Sequence, residues 1–327
     1  MNGKAAVIIV NWNGLRFLKD CLTAVYNQTY KNFDVCFVDN GSMDESLKFV
    51  KENFSQTKIV ALKKNTGFAQ GNNEGIKEAF KDKSVEYIVC LNNDTIVDPN
   101  WLAELVKTAD NDEKIGAVSS KAYFIDGKTI NNAGLRFEKV LQANKKGGIS
   151  IGYGLTDDEA PELSNEIEIF AAGGVAALYR RGIIEKIFKR DGEIFDEDYF
   201  AYVEDLDLGF RIRGLGYKAV LAPNAMLKHL HSQTIGKASP MKAYYCERNT
   251  ILTAIKNLTI VDLILFPIRN LGLKVSYLFN KHESVEKLQQ TNGILIILLI
   301  IVKANLSAIH LLPKYLFKRA RLRTPVL

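Results

Sequence analysis

Six carboxylic acids lie close together among aromatic and aliphatic side chains in the second half of the sequence. They are Asp196, Glu197, Asp198, Glu204, Asp205 and Asp207, all within the segment Phe195–Leu208. An apolar surrounding raises the pKa of a carboxyl group, and such a carboxylate can take a proton from a hydroxyl group near neutral pH. The segment therefore offers a catalytic base, with a solvated or salt-bridged helix start as the alternative. Asp207 is expected to face away from Asp205 and to pair with Arg211, four residues further along a helix.

Four polar segments follow four short apolar runs in the first hundred residues. The polar segments are Asn11–Gly14, Asp39–Asp44, Asn65–Asn73 and Asn92–Asp94. In α/β proteins, ligands bind beyond the carboxyl ends of the strands. Asn, Asp and Gly also form ordinary turns, which could explain any one of these segments. When all four polar segments lie at one edge of a sheet, turn formation is a poor explanation for the set, and the segments together indicate a binding site.

The residue types in these segments suit a nucleotide. Asp39 can accept hydrogen bonds from a base, and Gly67 and Gly71 allow the backbone to approach a ligand closely. Asp94 offers a hard oxygen ligand to a divalent cation that bridges two phosphates. The sequence has no G-x-G-x-x-G after the first apolar run and no G-x-x-x-x-G-K-[ST] anywhere. These absences exclude a Rossmann dehydrogenase and a P-loop protein.

The apolar runs predict the elements that position these residues. Uniform runs at Val7–Val10, Val35–Val38, Ile59–Leu62 and Tyr87–Leu91 are typical of strands buried on both faces. Between them, apolar residues recur at helical spacing over Leu15–Val25, Leu47–Val50 and Ile76–Phe80. This alternation predicts an α/β fold with a mostly parallel sheet flanked by helices.

The second half is less regular. Turns are expected at Asp126-Gly127 and Gly147-Gly148, a loop over Ile151–Ile167, and strands at Ala176–Tyr179 and Ala219–Ala222. Pro223 is expected to end the last strand, because proline donates no hydrogen bond to a neighbouring strand. The small residues Ala171–Gly174 could either admit an acceptor close to the sheet or serve packing.

Taken together, these segments resemble a known family. Val7–Gly14, Val38–Ser42, Asn65–Asn73, Leu91–Asp94, Phe195–Leu208, His229–Gly236 and Arg248-Asn249 are similar to the motifs of family 2 glycosyltransferases, most of all the rhamnosyltransferase-like branch. They span residues 7–249 in the expected order. Each segment alone is a weak signal, whereas the combination is specific.

The resemblance implies a GT-A fold over residues 1–240 and an inverting transfer from a nucleoside diphosphate sugar, such as dTDP-rhamnose or a UDP-sugar. The acceptor would be a polysaccharide, a glycolipid or another glycan. By this analogy Asp205 is the general base, and Glu204 is the second candidate. The expected nucleotide-binding residues are Asn11, Asp39, Asn65, Gly67, Asn72, Asn93 and Arg248. For Arg248, a contact with the leaving diphosphate and a buried ion pair are both open.

The resemblance also implies a divalent cation, Mg²⁺ or Mn²⁺. Asp94 would be the acid of the D-x-D element, and Asn92 stands where many family members have Asp. One anionic ligand therefore replaces two, and the cation would be held largely by the diphosphate itself. His229 begins an H-x-x-S-x-T-x-G pattern and is a candidate for cation or diphosphate contact, with a structural histidine as the alternative.

Composition and charge place limits on the remaining possibilities. The 327 residues are 47% hydrophobic and 24% charged, which is ordinary for a globular protein. The four cysteines form no C-x-x-C pair, so a disulfide framework and a zinc site are not expected. The apolar run after Met1 is too short for a signal peptide, and a cytoplasmic location is expected.

Residues 241–327 are expected to form a helical region with two apolar stretches, Leu258–Phe266 and Ile294–Val302. Nine helical residues rise about 14 Å, against about 30 Å for a bilayer core. The net charge is +6, and from Lys303 onward the chain has Lys and Arg but no acid. These features predict a peripheral helix on the anionic cytoplasmic face of a membrane, with a transmembrane span or core packing as alternatives.

Two other functions deserve comparison. A sugar nucleotidyltransferase would resemble its relatives in carrying a Gly- and Arg-rich loop after the first strand, and Asn11–Arg16 is not such a loop. A non-catalytic sugar-nucleotide-binding module is disfavoured by the presence of Asp94 and of the Glu204-Asp205 pair. Nucleic-acid binding is not expected, because no basic face interleaved with aromatic residues accompanies the basic C-terminus.

Overall fold

The computed structural model describes residues 3–137, 150–230, 239–266 and 283–322, the last range without side chains before residue 295. Three features of the sequence lie outside the described residues. They are the predicted turn at Gly147-Gly148, the basic residue Arg323, and the part of the H-x-x-S-x-T-x-G pattern from residue 231 onward.

The predicted strands and helices of the first hundred residues are present, but the strand at Ile59–Leu62 lies at the edge of the sheet and is partly exposed rather than buried on both faces. The strands are β1 (Lys4–Asn11), β2 (Phe33–Asn40), β3 (Lys58–Leu62), β4 (Val85–Asn92), β5 (Thr95–Val97), β6 (Ile115–Tyr123), β7 (Ile130–Asn132), β8 (Ile167–Ile169), β9 (Ala176–Arg180) and β10 (Lys218–His229). The helices are α1 (Leu15–Tyr26), α2 (Ser46–Asn53), α3 (Gly67–Ala79), α4 (Trp101–Asp110), α5 (Arg181–Asp191), α6 (Glu204–Gly214), α7 (Pro240–Asn257) and α8 (Glu283–Arg321). Residues 260–266 are also helical.

A single sheet runs through the described part of the chain in the order β3-β2-β1-β4-β9-β6-β10-β5, with β7 beside β6 and β8 beside β10. The first four strands in this order are parallel, as predicted. β9 lies antiparallel between β4 and β6, so the sheet as a whole is mixed. The expected α/β fold with flanking helices is confirmed.

Two apolar layers cover the sheet, and the alternation of residues along β1 shows how. Ala6 and Ile8 face the layer that contains α3 and α5, whereas Ala5, Val7 and Ile9 face the layer that contains α1 and α4. The strand is therefore buried on both faces, which explains its unbroken apolar sequence. The carboxyl ends of the parallel strands remain available at one edge.

The strand β10 continues past Pro223 to His229, which corrects the expectation that Pro223 ends it. The pairing of β10 with β6 shifts register between Ala222 and Met226. A bulge at this point places the proline where no ladder hydrogen bond is needed, and this is a position at which strands accept proline. The continuation carries His229 to the sheet edge.

The helix α8 packs along α7 through the buried residues Ala304, Ala308 and Tyr315. Within the described residues, its part Leu295–Arg321 is the one helix long and apolar enough to cross a membrane by length and composition, and its most apolar window of 18 residues has a mean hydropathy of 2.3. Lys314 and Lys318 were expected to face an anionic partner. Instead, both form ion pairs with the Glu193–Asp198 segment of this chain, because α8 lies against that segment.

Candidate active site

The parallel register of the central strands brings the first, second and fourth polar segments together. Asn11, at the end of β1, pairs with Asp39 in β2, and β1 also pairs with β4. Asn11 Oδ1 accepts a hydrogen bond from Asn93 Nδ2 at 2.6 Å, and Asn11 Nδ2 donates to Ser42 Oγ at 3.2 Å. The carboxyl ends of β1, β2 and β4 therefore form one polar edge.

Asp39 is almost fully buried at this edge, with 4% of its surface exposed. Its Oδ1 has no hydrogen-bond partner among the described residues. A buried carboxylate oxygen without a partner is costly, by about 1–3 kcal/mol or more, unless a ligand satisfies it. Asp39 is thus a suitable acceptor for the N–H groups of a nucleotide base.

Asn40, which was not predicted as a site residue, holds the third polar segment against the edge. Asn40 Nδ2 donates to Asn65 Oδ1 at 3.2 Å and to the Gly67 carbonyl at 3.0 Å. Gly67 has a φ of +87°, and a Cβ there would lie 2.4 Å from the Phe200 carbonyl oxygen. The N-terminus of α3 consequently contacts the loop that leads to Glu204.

Two asparagines of α3 have different partners. Asn72 is 2% exposed, and its Nδ2 donates to the Phe68 carbonyl within the helix at 2.9 Å. Asn73, which was not predicted as a site residue, donates from Nδ2 to the Phe195 carbonyl at 2.8 Å and to Glu197 Oε1 at 3.0 Å. Its Oδ1 accepts from the Phe195 N–H at 2.8 Å. Asn73 therefore fixes the start of the acidic segment.

The two predicted cation ligands lie together at the end of β10. His229 Nε2 is 3.2 Å from Asp94 Oδ1, and both residues are buried. Two adjacent ligands about 2.1–2.2 Å from one octahedral cation are about 3.0–3.1 Å apart, so the pair fits a shared ion. His229 Nδ1 lies 2.8 Å from Asn131 Oδ1, the kind of outer contact that orients a metal-binding imidazole. Among the described residues no group of three such ligands occurs, so diphosphate and water would complete the shell.

Glu204 and Asp205 form the first turn of α6 and differ in their surroundings. Asp205 is partly exposed; its Oδ2 accepts from the Gly174 N–H at 2.9 Å, and its Oδ1 accepts from the Leu206 N–H at 2.8 Å. Glu204 is buried, and its Oε2 has no partner among the described residues. Burial raises the pKa of Asp205, and burial together with the neighbouring Asp205 charge raises the pKa of Glu204 well above its ordinary value.

Backbone contacts place Asp205 beside the polar edge. Gly174 holds the Asp205 carboxylate, and the next residue, Val175, accepts a hydrogen bond from the Asn92 N–H at 2.9 Å. A Cβ on Gly173 would lie 2.0 Å from Asn132 Oδ1, so the small residues before β9 serve close packing. Asp205 is therefore only a few bonded and hydrogen-bonded steps from the Asn92–Asp94 segment.

The loop before α6 has an uncommon backbone. Phe200, Tyr202 and Val203 have positive φ angles of 64°, 71° and 71°. Such residues are strained by about 1–3 kcal/mol each and persist only where their surroundings hold them. The strain lies immediately before Glu204 and so helps to set the direction of both carboxylates.

Two neighbouring side chains of α7 hold this loop. Asn249 is fully buried and donates to the carbonyls of Tyr199, Ala201 and Tyr202 at 3.0, 2.9 and 2.7 Å. Arg248 donates to the carbonyls of Asp198 and Tyr199 at 2.5 and 3.1 Å. The guanidinium therefore supports the loop, and its contact with a diphosphate stays a prediction.

A buried charge cluster lies behind the two carboxylates. Arg211 Nε donates to Asp207 Oδ2 at 2.9 Å, which confirms the predicted pair. Lys256 Nζ lies 3.0 Å from Asp207 Oδ2 and 2.8 Å from Asp196 Oδ2. Burial alone would raise the pKa of Asp196, but Lys256 and Lys318 outweigh it and hold that pKa far below its usual range. Asp196 is therefore an ionised structural acid, and Asp207 is a structural acid bound by Arg211 and Lys256.

Comparisons with known proteins agree with this geometry. The family model described as Glycosyl transferase family 2 matches residues 6–188. Poly-beta-1,6-N-acetyl-D-glucosamine synthase of Staphylococcus aureus strain COL is 23% identical over 232 residues, which are 70% of this chain and 50% of that protein. The O-antigen biosynthesis protein RfbC of Myxococcus xanthus is 30% identical over 226 residues, 67% of this chain and 16% of that protein.

The chain thus spans about half the length of the synthase and a smaller share of RfbC. Among solved structures, that of GalNAc-T7 with UDP, GalNAc and Mn²⁺ is similar in fold, with a TM-score of 0.59 and 17% identity over 79% of this chain and 48% of that chain. The expected GT-A fold is confirmed by this likeness. The extent of the family match, together with the motifs gathered at one sheet edge, shows that the chain belongs to glycosyltransferase family 2.

Proposed function

We propose that this protein transfers a sugar from a nucleoside diphosphate sugar to a hydroxyl group of a glycan or lipid-linked acceptor, with inversion at the anomeric carbon. The observation that carries the proposal is the Asp205 carboxylate, fixed by two backbone N–H groups beside the polar edge. Relatives named as a polysaccharide synthase and as an O-antigen biosynthesis protein support a polysaccharide or similar glycan as the acceptor.

Asp205 is the better base of the two neighbouring carboxylates. Two N–H groups stabilise its ionised form in a fixed orientation, whereas Glu204 has a buried oxygen with no partner among the described residues, and its raised pKa favours its neutral form. The acceptor O–H gives its proton to Asp205 while the acceptor oxygen forms the new bond to the anomeric carbon. The bond from that carbon to the diphosphate breaks, and its electron pair leaves with the nucleoside diphosphate.

Asp39 and Asn11 would bind the nucleotide, with Asn65, Gly67, Asn72 and Asn93 around it. The buried Asp39 Oδ1 supports this assignment, since a base N–H group would satisfy it. The resemblance to the rhamnosyltransferase-like branch favours dTDP-rhamnose, and the UDP and GalNAc bound by GalNAc-T7 make a UDP-sugar the second donor to test.

Asp94 and His229 would hold a divalent cation, and their 3.2 Å separation and buried position fit that role. When bound, such an ion neutralises charge on the departing diphosphate. The Mn²⁺ in the GalNAc-T7 structure supports a divalent cation here. The protein supplies one anionic ligand, so we expect cation affinity to rise strongly when a nucleoside diphosphate is present.

The test is turnover of a panel of UDP-, dTDP- and GDP-sugars with Mg²⁺ or Mn²⁺, scored by the released product. Release of nucleoside diphosphate by the wild type and its loss in Asp205→Asn would support the proposal. Donor binding seen as a raised melting temperature without turnover would instead indicate a binding module. Release or consumption of pyrophosphate would indicate a nucleotidyltransferase.

We also propose that α8 lies in the plane of the cytoplasmic membrane surface rather than across the bilayer. Ala304, Ala308 and Tyr315 pack on one side of the helix, and exposed apolar residues occupy the opposite side over the same length. These exposed residues are Leu295, Leu298, Leu299, Val302, Leu306, Ile309, Leu316 and Phe317. A helix that packs lengthwise on its own domain is positioned to insert only its outer face.

Replacing Leu306 and Ile309 with glutamate tests the membrane proposal, because both are more than 60% exposed. We expect liposome co-sedimentation to fall while the melting temperature stays within about 2 °C, since no packed side chain is removed. The matched control is the same double change at Met43 and Ile125, exposed apolar residues of the catalytic domain. Equal sedimentation of both double variants would contradict the proposal.

A further inference from the structure

We infer that Lys318, near the end of α8, is a positioning residue for the catalytic carboxylates, so that the C-terminal helix is part of the active-site architecture. The inference deepens the proposed function, because it rests on Asp205 as the base. Lys318 was predicted from the sequence only as part of a basic end. Its contacts are on the opposite side of α8 from the exposed apolar residues.

Lys318 binds the acidic segment at three points. Its Nζ lies 2.6 Å from Glu193 Oε1, 2.6 Å from Asp196 Oδ1 and 3.0 Å from Asp198 Oδ2. The Tyr315 hydroxyl, one turn earlier, donates to Asp196 Oδ1 at 3.1 Å. Lysine on an isolated surface pair contributes little, but a mostly buried lysine shared by three carboxylates is a fixed structural contact.

The contact continues from Lys318 to the helix that carries the base. Asp196 Oδ2 accepts from Lys256 Nζ at 2.8 Å, and the same Nζ lies 3.0 Å from Asp207 Oδ2. Asp207 is in α6, less than one turn after Asp205, and is fully buried. An unbroken chain of ionic hydrogen bonds therefore joins α8 to the first turn of α6.

A second connection runs through the strained loop. Asp198, which binds Lys318 and Lys314, directly precedes the residues whose carbonyls are held by Asn249. The positive φ angles at Phe200, Tyr202 and Val203 need such external contacts to persist. Without Lys318, Asp198 would keep its contacts with Lys314 and Arg248, but Glu193 and Asp196 would lose the cation that they share with it, and the direction of Asp205 would be less well defined.

The charges of the acidic segment also favour a positioning role for Lys318 over a simple surface attraction between α8 and that segment. Glu193, Asp196 and Asp198 lie within six residues of one another, and Asp196 is fully buried. Ionised carboxylates this close repel each other unless a cation lies between them. Lys318 is the cation that contacts all three, so its removal should loosen the segment as well as detach α8.

The test compares Lys318→Met with Arg321→Met, a matched control that removes a cation from the exposed side of the same helix. We expect Lys318→Met to reduce kcat by about 10- to 100-fold, because small misplacement of a catalytic group has effects of that size. The KM for the donor should change little, since the polar edge is untouched. Lys318→Arg should recover much of kcat, and Arg321→Met should match the wild type.

Hydrogen exchange provides a readout that does not depend on turnover. We expect faster exchange of the amides of residues 199–206 in Lys318→Met than in Arg321→Met, at a temperature where both remain folded. Tyr315→Phe removes one hydroxyl and keeps the ring, so it should show the same effect more weakly even if Lys318→Met unfolds.

Unchanged exchange in both Lys318→Met and Tyr315→Phe would overturn the inference whatever the activity. Faster exchange with unaltered kcat would overturn it as well, because the loop would then be loosened without consequence. If the wild type turned over no donor in the panel, the proposed function would fail, while exchange would still show whether α8 holds the loop.

Discussion

At the scale of single residues, the surroundings of each carboxylate in the site determine what chemistry it can perform. Asp207 and Glu204 lie on the same short helix, yet Asp207 is paired with cations, whereas a buried oxygen of Glu204 has no partner in the part of the chain that the structure describes. Asp205 is partly exposed and held by two N–H groups. The proposed role of Asp205 as the base follows from this difference, because an acceptor hydroxyl could approach its carboxylate in a defined orientation.

The pH dependence of activity should report the raised pKa of Asp205. Its burial raises the pKa above the ordinary value of about 3.9, and a base works only when deprotonated. We therefore expect kcat/KM to fall as the pH drops through a value clearly above about 3.9. Asp205→Asn should lower kcat by about 100- to 10,000-fold at neutral pH, and this loss should shrink as the pH falls through that value.

Initial rates between pH 4.5 and 8 measure this profile, with Asp126→Asn, an exposed aspartate in a turn, as the control. An acid limb that persists in residual Asp205→Asn activity would contradict the assignment. Glu204→Gln should retain much more activity than Asp205→Asn, because the raised pKa of Glu204 favours its neutral form. The reverse order would make Glu204 the base.

Asn131 should control cation affinity without touching the cation. When His229 Nδ1 donates to Asn131 Oδ1, its Nε2 lone pair points toward Asp94 and can serve as a ligand. Asn131→Leu removes the acceptor, and we expect Mn²⁺ affinity in the presence of UDP to fall by about 10- to 100-fold. Electron paramagnetic resonance of unbound Mn²⁺ measures this directly. Equal affinity in Asn131→Leu and in the neighbouring control Asn132→Leu would contradict the prediction.

Site residues with a local sequence signal could be predicted, and those defined by distant contacts could not. Asn11 and Asp39 directly follow apolar runs, and Asp94 comes three residues after one, so the sequence shows both the strand ends and their polar residues. Asn73 and Asn249 have no such signal, because their partners lie about 50 to 120 residues away in sequence. The motif Arg248-Asn249 was visible, but the sequence pointed to the arginine, whereas the asparagine makes three contacts to the loop.

At the scale of elements, the site depends on a strained loop clamped between α3 and α7. Ala69 of α3 donates its N–H to the Phe200 carbonyl at 3.1 Å, and Asn249 of α7 holds the carbonyls on either side. The two helices approach the loop from different parts of the chain. The first turn of α6 can therefore be stable only when both helices are in place.

Asn249→Ala should destabilise the protein markedly, because it removes a fully buried amide and leaves the carbonyls of Ala201 and Tyr202 without their side-chain donor. We expect the free energy of unfolding to fall by about 2–4 kcal/mol, and kcat to fall with it, since the loop leads to Glu204. Urea unfolding measures the loss. Asn53→Ala, an exposed asparagine that bonds within α2, should change stability by less than about 0.5 kcal/mol. Similar losses in the two variants would contradict the clamp.

At the scale of the whole molecule, the fold of the first part of the chain could be predicted from the sequence, whereas the fold of the rest depends on packing between distant residues. In the first hundred residues, the alternation of strands and helices could be predicted, because it follows from local apolar patterns in the sequence. The placement of β9 between β4 and β6 and the docking of α8 on the acidic segment depend on contacts between distant residues. For the same reason, the sequence of the basic C-terminus predicted an anionic partner. It could not show that two of the lysines there would form ion pairs with acids of the same chain.

Lys256 lies at the centre of this long-range packing, and its loss should have a pH-dependent effect on the stability of the whole chain. It is 3% exposed and joins Asp196 of the acidic segment to Asp207 of α6. Removing one partner of a buried ion pair destabilises a protein by about 3–5 kcal/mol. We expect a loss of this size in Lys256→Met at pH 7.

The sign of the pH effect follows from Asp196. Its pKa is lowered in the folded chain, so its stabilisation is present above the unfolded value of about 3.9 and is lost as the pH falls further. The difference in unfolding free energy between wild type and Lys256→Met should therefore be largest at neutral pH and shrink below about pH 3.9. Urea unfolding at pH 7 and pH 3.5 measures both values, with Lys107→Met on the exposed face of α4 as the control. An equal difference at the two pH values would mean that Lys256 acts through packing of its hydrocarbon chain rather than through its charge.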